Sequence, residues 1–186
     1  MKDFTRADLH FSLCGLNCGL CPMHLNHYCP GCGGGEGNQS CQIAKCSQEH
    51  GKIEYCNQCQ KYPCEHYEKE DEFDSFISRR NRIKDLEKMK RIGKEAYQAE
   101  QKEKVEVLNY LLENYNDVRK KTLFCLAVNL LELSDIKAAI CQVEAEGVLE
   151  LPLKERAASI AIRLQELAGQ KQIILKLRKK VKPRRK

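Results

Sequence analysis

The sequence predicts a mainly α protein, with a small, irregular, metal-bound cysteine module at the front and an antiparallel helical bundle behind it. Three observations carry that expectation. Ten of the twelve cysteines lie between Cys14 and Cys64, a density typical of short segments that need cross-links to fold. Beyond about residue 71, apolar residues recur at helical spacing. The formal charge of +6 sits in one place, because the last eleven residues hold eight Lys/Arg and no Asp/Glu. These shifts divide the chain into a cysteine module (1–70), a helical bundle (71–175) and a basic tail (176–186).

The first 70 residues carry six Lys/Arg against eight Asp/Glu, few aliphatic residues and much Gly and Cys. Such a segment is expected to rely on cross-links in place of an apolar core. Met1 to Phe11 contains no apolar run of signal-peptide length. No stretch of about 18 apolar residues occurs, so no membrane span is expected. The prediction is therefore a cytoplasmic chain whose thiols stay reduced and free for metal, rather than a disulfide-stapled secreted factor.

The cysteines fall in short-range groups: Cys14, Cys18 and Cys21; Cys29 and Cys32; Cys41 and Cys46; Cys56, Cys59 and Cys64. Three of the gaps are C-x-x-C. Two intervening residues make a tight turn that aims both sulfurs at one ion, and zinc takes four such ligands at about 2.3 Å. In Cys29-Pro30-Gly31-Cys32-Gly33, proline presets the turn and glycine accepts a positive φ. Turn signals dominate the rest, so short turns, a small hairpin or a stub of helix are expected. Ten thiolates suffice for two zinc ions, each combining knuckles from different segments. His24, His27, His50 and His66 are further donors, and spacing alone leaves the partition open. An iron–sulfur cluster is the alternative cofactor, since four-cysteine sets serve both metals. Cys14-x-x-x-Cys18-x-x-Cys21 resembles the cluster motif of radical S-adenosylmethionine enzymes. Those enzymes need a strand–helix barrel, however, and no strand–helix alternation follows residue 70.

Cys14-Gly15-Leu16-Asn17-Cys18-Gly19-Leu20-Cys21, Pro30-Gly31-Cys32, Cys41-Gln42-Ile43-Ala44-Lys45-Cys46 and Tyr55-Cys56-Asn57-Gln58-Cys59-Gln60-Lys61-Tyr62-Pro63-Cys64 together resemble a cysteine-rich family of small bacterial and archaeal proteins. That family is a domain of unknown function taken to bind zinc. The resemblance covers residues 13 to 101. It extends to Arg91-Ile92-Gly93-Lys94-Glu95-Ala96-Tyr97, with Tyr97 where the family is expected to have Trp. It implies a metal site among Cys14, Cys18, Cys21, Cys32, Cys41, Cys46, Cys56, Cys59 and Cys64, and it implies no reaction.

From about Glu72, Phe73, Phe76, Ile77, Ile83 and Leu86 suggest a long charged helix that Gly93 bends. Val105, Leu108, Leu112 and Tyr115 continue at helical spacing. Asn116-Asp117 marks a break and an N-cap. Leu123, Leu126, Ala127, Leu130 and Leu131 form the clearest amphipathic pattern. Ser134 is the expected cap of the next helix, carrying Ile136, Ala139, Ile140 and Val143 and ending at Gly147. Pro152 suits the first turn of a helix carrying Leu153, Ala157, Ile160, Leu164 and Leu167 to Gly169. Ile173, Ile174 and Leu177 lead into the tail. Short loops between these elements predict an antiparallel bundle.

Cys125 and Cys141 lie in apolar helical runs and read as small core residues. His10 reads as a surface or packing residue. Tyr28, Tyr55, Tyr62 and Tyr67 are expected to screen the metal sites from water. The tail, Lys176 to Lys186, reads as a solvated terminus that would also give weak, non-specific nucleic-acid binding through its charge. No Ser/His/Asp arrangement, phosphate-binding loop or carboxylate pair is visible. The expected function is that of an intracellular zinc protein whose module acts in protein or nucleic-acid interaction, with an iron–sulfur electron carrier as the alternative. Removing the metal is expected to unfold residues 12 to 66 and spare the helical half.

Overall fold

The computed structural model describes residues 3–35, 41–70 and 72–180. The front of the chain is irregular, as expected, and is punctuated by short helices. A 3-10 turn at Cys18–Leu20 leads into α1 (Pro22–Leu25), with proline at its first position. Then come α2 (Gln42–Glu49), a second 3-10 turn at Cys56–Gln58, and α3 (Glu65–Glu70). Two isolated antiparallel bridges pair Thr5 with Gly34 and Phe11 with Asn17.

The rest is helical, comprising α4 (Arg82–Ile92), α5 (Lys94–Tyr115), α6 (Lys121–Leu130), α7 (Leu133–Ala145), a 3-10 turn at Val148–Glu150, and α8 (Leu153–Gln170). The amphipathic runs read from the sequence map onto α5 to α8. Several boundaries differ. The helix expected from Glu72 begins only at Arg82, because Asp74 bonds backbone groups in place of a helical turn. Its Oδ1 accepts the Arg79 N–H at 2.9 Å and its Oδ2 the Arg178 N–H at 2.8 Å. Phe76 is consequently 61% exposed and not part of a buried stripe. Gly93, at φ +88°, separates two helices where a bend was expected. Asp117 accepts the Arg119 N–H in a turn ahead of α6 and does not cap it. Glu132, not Ser134, occupies the N-cap of α7.

Past α8 the chain is not a free basic tail. Residues 172–180 fold back along residues 73–80. Asp74 N–H donates to Arg178 O at 2.9 Å, and the Arg178 guanidinium reaches Asp74 Oδ1 at 2.9 Å. The Arg80 guanidinium donates to Ile174 O at 2.7 Å and to Lys176 O at 3.1 Å. The Lys180 ammonium lies 5.3 Å from the Phe73 ring centroid. Residues 181–186 lie outside the described residues.

Two apolar cores form, and neither respects the boundary at residue 70. One packs Leu108, Leu111, Phe124, Val128, Ile136, Ile160 and Leu164 together with Leu20 from the cysteine module. The other joins Phe4, Phe11, Leu13, Ile43, Tyr55 and Tyr67 to Leu86, Met89 and Tyr97 from α4 and α5. The expectation of a module without an apolar interior is thus corrected. Too small to close a core alone, it borrows one face from two helices. Gly15 makes the approach possible. Its φ is +90°, and a Cβ there would collide with the Arg82 carbonyl.

A buried polar node ties the same seam. Asn17 Nδ2 donates to Asp85 Oδ2 at 2.9 Å and to Asn129 Oδ1 at 3.0 Å, and Tyr97 OH donates to Asn17 Oδ1 at 3.2 Å. One residue of the module thereby holds α4, α5 and α6. Burial pushes the Asp85 carboxyl up to about 7, against the pull of the Lys104 ammonium and the Asn17 hydrogen bond. Lys104 is itself buried, with Nζ donating to Leu131 O at 3.2 Å, and burial lowers its pKa.

The native Asp85 carboxyl therefore keeps a proton that the unfolded chain releases near pH 4. Its contribution makes stability fall as pH rises from about 4 to about 7, by at most about 1.4 kcal/mol per pH unit. Asp85→Asn removes that slope. In urea denaturation the variant should gain on the wild type by about 1–3 kcal/mol between pH 4.5 and pH 7.5. Parallel pH profiles for the two proteins would contradict the assignment.

Candidate metal centres

None of the twelve cysteines forms a disulfide, and nine of the ten in the module gather in three neighbourhoods, with Cys56 between two of them. The inner one holds Cys14, Cys18, Cys32 and Cys41, brought together from three segments. Cys56 N–H donates to Leu13 O at 2.9 Å, which pins the turn that carries Cys14 against the Cys56–Gln58 turn. Gly31, at φ +93°, lets the Cys29–Cys32 turn press onto Leu9, whose carbonyl a Cβ would strike. The Arg6 guanidinium closes the arrangement. Its Nη1 donates to the carbonyls of Asp8 (2.9 Å), Phe11 (3.0 Å) and Cys32 (3.3 Å), while Nε and Nη2 reach Glu54 O at 3.2 and 2.9 Å. Glu54 Oε1 pairs with it at 3.1 Å. No pattern in the sequence singles out Arg6.

The thiols of this group shape one another's ionisation. Burial pushes Cys18 far up, and Cys32, Cys14 and Cys21 add to the effect. Burial and Cys14 push Cys32 up to about 11, with Arg6 pulling against them and Cys41 adding a little. These are desolvated sulfurs facing like neighbours, an arrangement that favours protonation or a shared cation.

The outer neighbourhood is Cys46 on α2 with Cys59 and Cys64, at an open cleft of about 540 Å³ that His50 and His66 also line. Burial raises Cys46, and Cys64 and Cys59 raise it further. Cys56 stands between the groups. Burial raises it to about 12, a Tyr67 hydrogen bond opposes this, and Cys14, Cys64 and Cys46 all act on it. His50 Nδ1 lies 2.8 Å from Cys46 O and 3.6 Å from Cys46 Sγ. A carbonyl oxygen only accepts, so Nδ1 carries the proton and Nε2 is left as the donor atom for a ligand.

The third neighbourhood is Cys21 with Cys29. Burial raises the Cys21 thiol, the amides of Met23 and His24 oppose this, and Cys29 adds to it. His24 Nδ1 sits 3.0 Å from Cys29 O, again leaving Nε2 as donor. The His10 ring meets His24 edge-on with centroids 5.2 Å apart. A ring held through Nδ1 by a backbone carbonyl is how metal-bound histidines are usually oriented. His27 is exposed in a left-handed turn, φ +60°.

Among the described residues, no three His, Cys, Asp or Glu side chains are grouped so as to hold one ion. The donor chemistry suits a soft cation, but the sulfurs stand near one another without converging on a point. The aromatic cover is partly as expected. Tyr55 and Tyr67 are buried, and Tyr67 OH donates to Cys14 O at 3.3 Å. Tyr62 packs edge-on against Tyr67. Tyr28 departs from the expectation, being 71% exposed and screening nothing. Cys125 is buried as expected and burial pushes it up to about 12, but Cys141 faces solvent on α7 and is not a core residue. Its neighbours Ile140 and Val143 take the buried face. No helix among the described residues is long and apolar enough to cross a membrane. Compared with protein-family models, curated proteins and solved structures, the chain matches none of them.

This placement orders the thiols by access. A limiting dose of iodoacetamide on the native protein should label Cys141 first and leave Cys14, Cys56 and Cys125 unlabelled, as read by peptide mass spectrometry. First label on any of these three would contradict the buried positions.

Proposed function

We propose that this protein is a zinc-binding protein in which the metal is structural and the cysteine module serves in interaction rather than catalysis. The observation that carries the reading is the division of the thiols into inner and outer neighbourhoods, each gathered from distant segments. The inner ion would be held by Cys14, Cys18, Cys32 and Cys41. The outer one would be held by Cys46, Cys59 and Cys64, with Cys56 or His50 as fourth donor. Zinc would supply a charge that keeps these thiolates ionised together, which their surroundings otherwise oppose. Iron–sulfur chemistry draws on the same donors and is the competing outcome of the test.

Elemental analysis of protein purified without oxygen should find two zinc ions per chain. Cys32→Ser should lose one and keep the other, and Cys46→Ser the reverse. The outer ion, at the open cleft, should leave first on titration with a chelator. Complete demetallation should remove hydrogen-exchange protection from residues 12–66, and also from α4 and the start of α5, which share the module's core. α6 to α8 should stay protected. A brown sample absorbing near 400 nm would transfer the site to iron and sulfide. A metal-free protein with full protection of the module would end the proposal.

A further inference from the structure

Two segments far apart in sequence, 73–80 and 172–180, lie side by side. Asp74 takes the Arg178 N–H and guanidinium at one end, and the Arg80 guanidinium takes the carbonyls of Ile174 and Lys176 at the other. Between them the two segments carry six Lys/Arg and one carboxylate, Asp74. Asp74 is buried and offsets one of those charges, that of Arg178. Arg80 bonds neutral carbonyls and keeps its charge. Lys176, Lys179 and Lys180 are exposed, and none pairs with a carboxylate among the described residues. Ahead of Phe73 the sequence turns acidic at Glu70-Asp71-Glu72, so the positive charge along this segment is bounded. Cations gathered in this way on a folded surface match a chain of phosphates.

The same pair of segments carries an uncovered ring. Phe76 lies between the Asp74 and Arg80 ties and is 61% exposed. Phe73 is half-buried, with the Arg79 guanidinium and the Lys180 ammonium 5.0 and 5.3 Å from its ring centroid. The hydrogen bonds that keep a helix from starting before Arg82 thus leave one aromatic ring in solvent, within a few residues of the cations. An exposed ring among cations gives an unpaired base a face to stack on while its phosphates meet the charges. A duplex keeps its bases stacked on one another and has no such use for the ring.

We propose that this paired surface binds single-stranded nucleic acid without sequence preference, with Phe76 stacked on a base and Arg80, Lys176, Lys179 and Lys180 meeting phosphates. Binding by a solvated tail would need charge alone; this surface needs the ring as well. It contains none of the module's thiols, so it stands whether or not the module holds metal.

The test titrates the full-length protein into a fluorescein-labelled oligo(dT) of about 12 nucleotides, a duplex of the same length, and phosphatidylglycerol vesicles. At about 0.1 M salt, anisotropy should give a dissociation constant below about 100 μM for the single strand. The single strand should bind more tightly than the duplex, whose higher charge density would win if charge alone decided. Phe76→Ala, at an exposed position, should weaken single-strand binding about fivefold or more and leave duplex binding unchanged. Lys176→Gln combined with Lys179→Gln should make the plot of log affinity against log salt shallower by about 1.4, twice the single-strand increment per phosphate. Ile174→Ser removes an exposed aliphatic side chain that a lipid surface would feel, and should leave oligonucleotide binding unchanged. Should a variant fold poorly, NMR of the wild type decides, because the Phe76 and Lys176 amides should shift on adding oligo(dT). Equal affinity of wild type and Phe76→Ala would overturn the proposal. So would preference for the duplex, an unchanged salt slope, absent shifts at those amides, or binding to the vesicles alone.

Discussion

The front third of this protein is organised around one guanidinium. Arg6 spends its donors on the carbonyls of Asp8, Phe11, Cys32 and Glu54, four points on three separate segments. Its side chain is 1% exposed and its charge is met by Glu54. A buried arginine carries a large desolvation cost, and the planar fork recovers it only where several acceptors are already in position. The arrangement therefore works in both directions: the loops gather round the cation, and the cation is tolerable only because they do. Cys14, Cys32 and Cys56 sit within a few residues of those points, so their proximity follows from a polar tie before any metal is considered.

That tie changes how the thiols are to be understood. Here the backbone is pinned by Arg6, by the Cys56–Leu13 hydrogen bond and by an apolar cluster that reaches into α4 and α5. Burial, and after it the like neighbours set close by, raises the proton affinity of these sulfurs, as at Cys18 and Cys32. A bound cation would relieve that unfavourable crowding, so coordination and the shape of the module would depend on each other.

Much of the helical half was legible because its signal is local. Leu123, Leu126, Ala127 and Leu130 repeat at a helical period and form α6, and Ile136 to Val143 do the same in α7. The failures are where a side chain met something remote in sequence. Phe73, Phe76 and Ile77 have an acceptable helical spacing, yet Asp74 is taken by Arg178, 104 residues away, and the helix waits until Arg82. The basic run looked like a free tail for the same reason, since its partners Asp74 and Arg80 lie across the fold. Within the module, the spacing of cysteines identified which segments carry donors but not which segments meet. Arg6 left no signal at all, and Asn17 stood only as one member of the Cys14–Cys21 string. A single arginine or amide becomes informative only when its partners are known, and those of both residues come from distant segments.

The seam between module and helices combines two kinds of contact that do different work. Apolar packing of Leu86, Met89 and Tyr97 against Phe11 and Leu13 supplies adhesion but tolerates sliding, because hydrophobic contact has little directionality. The Asn17 node does not tolerate it. A small rotation of the module would strand Asn17, Asp85 and Asn129 without partners, at a cost of about 1–3 kcal/mol for each unsatisfied group. The node therefore selects a single orientation, and it does so with a residue next to Cys18, one of the inner thiols. Fixing that orientation also holds Gly19 and Leu20 at a set distance from α5, which is why a cavity survives at a junction that apolar packing alone would have closed. The polar node and the cavity thus belong to the same docking geometry, while the thiol cluster is gathered within the module by Arg6.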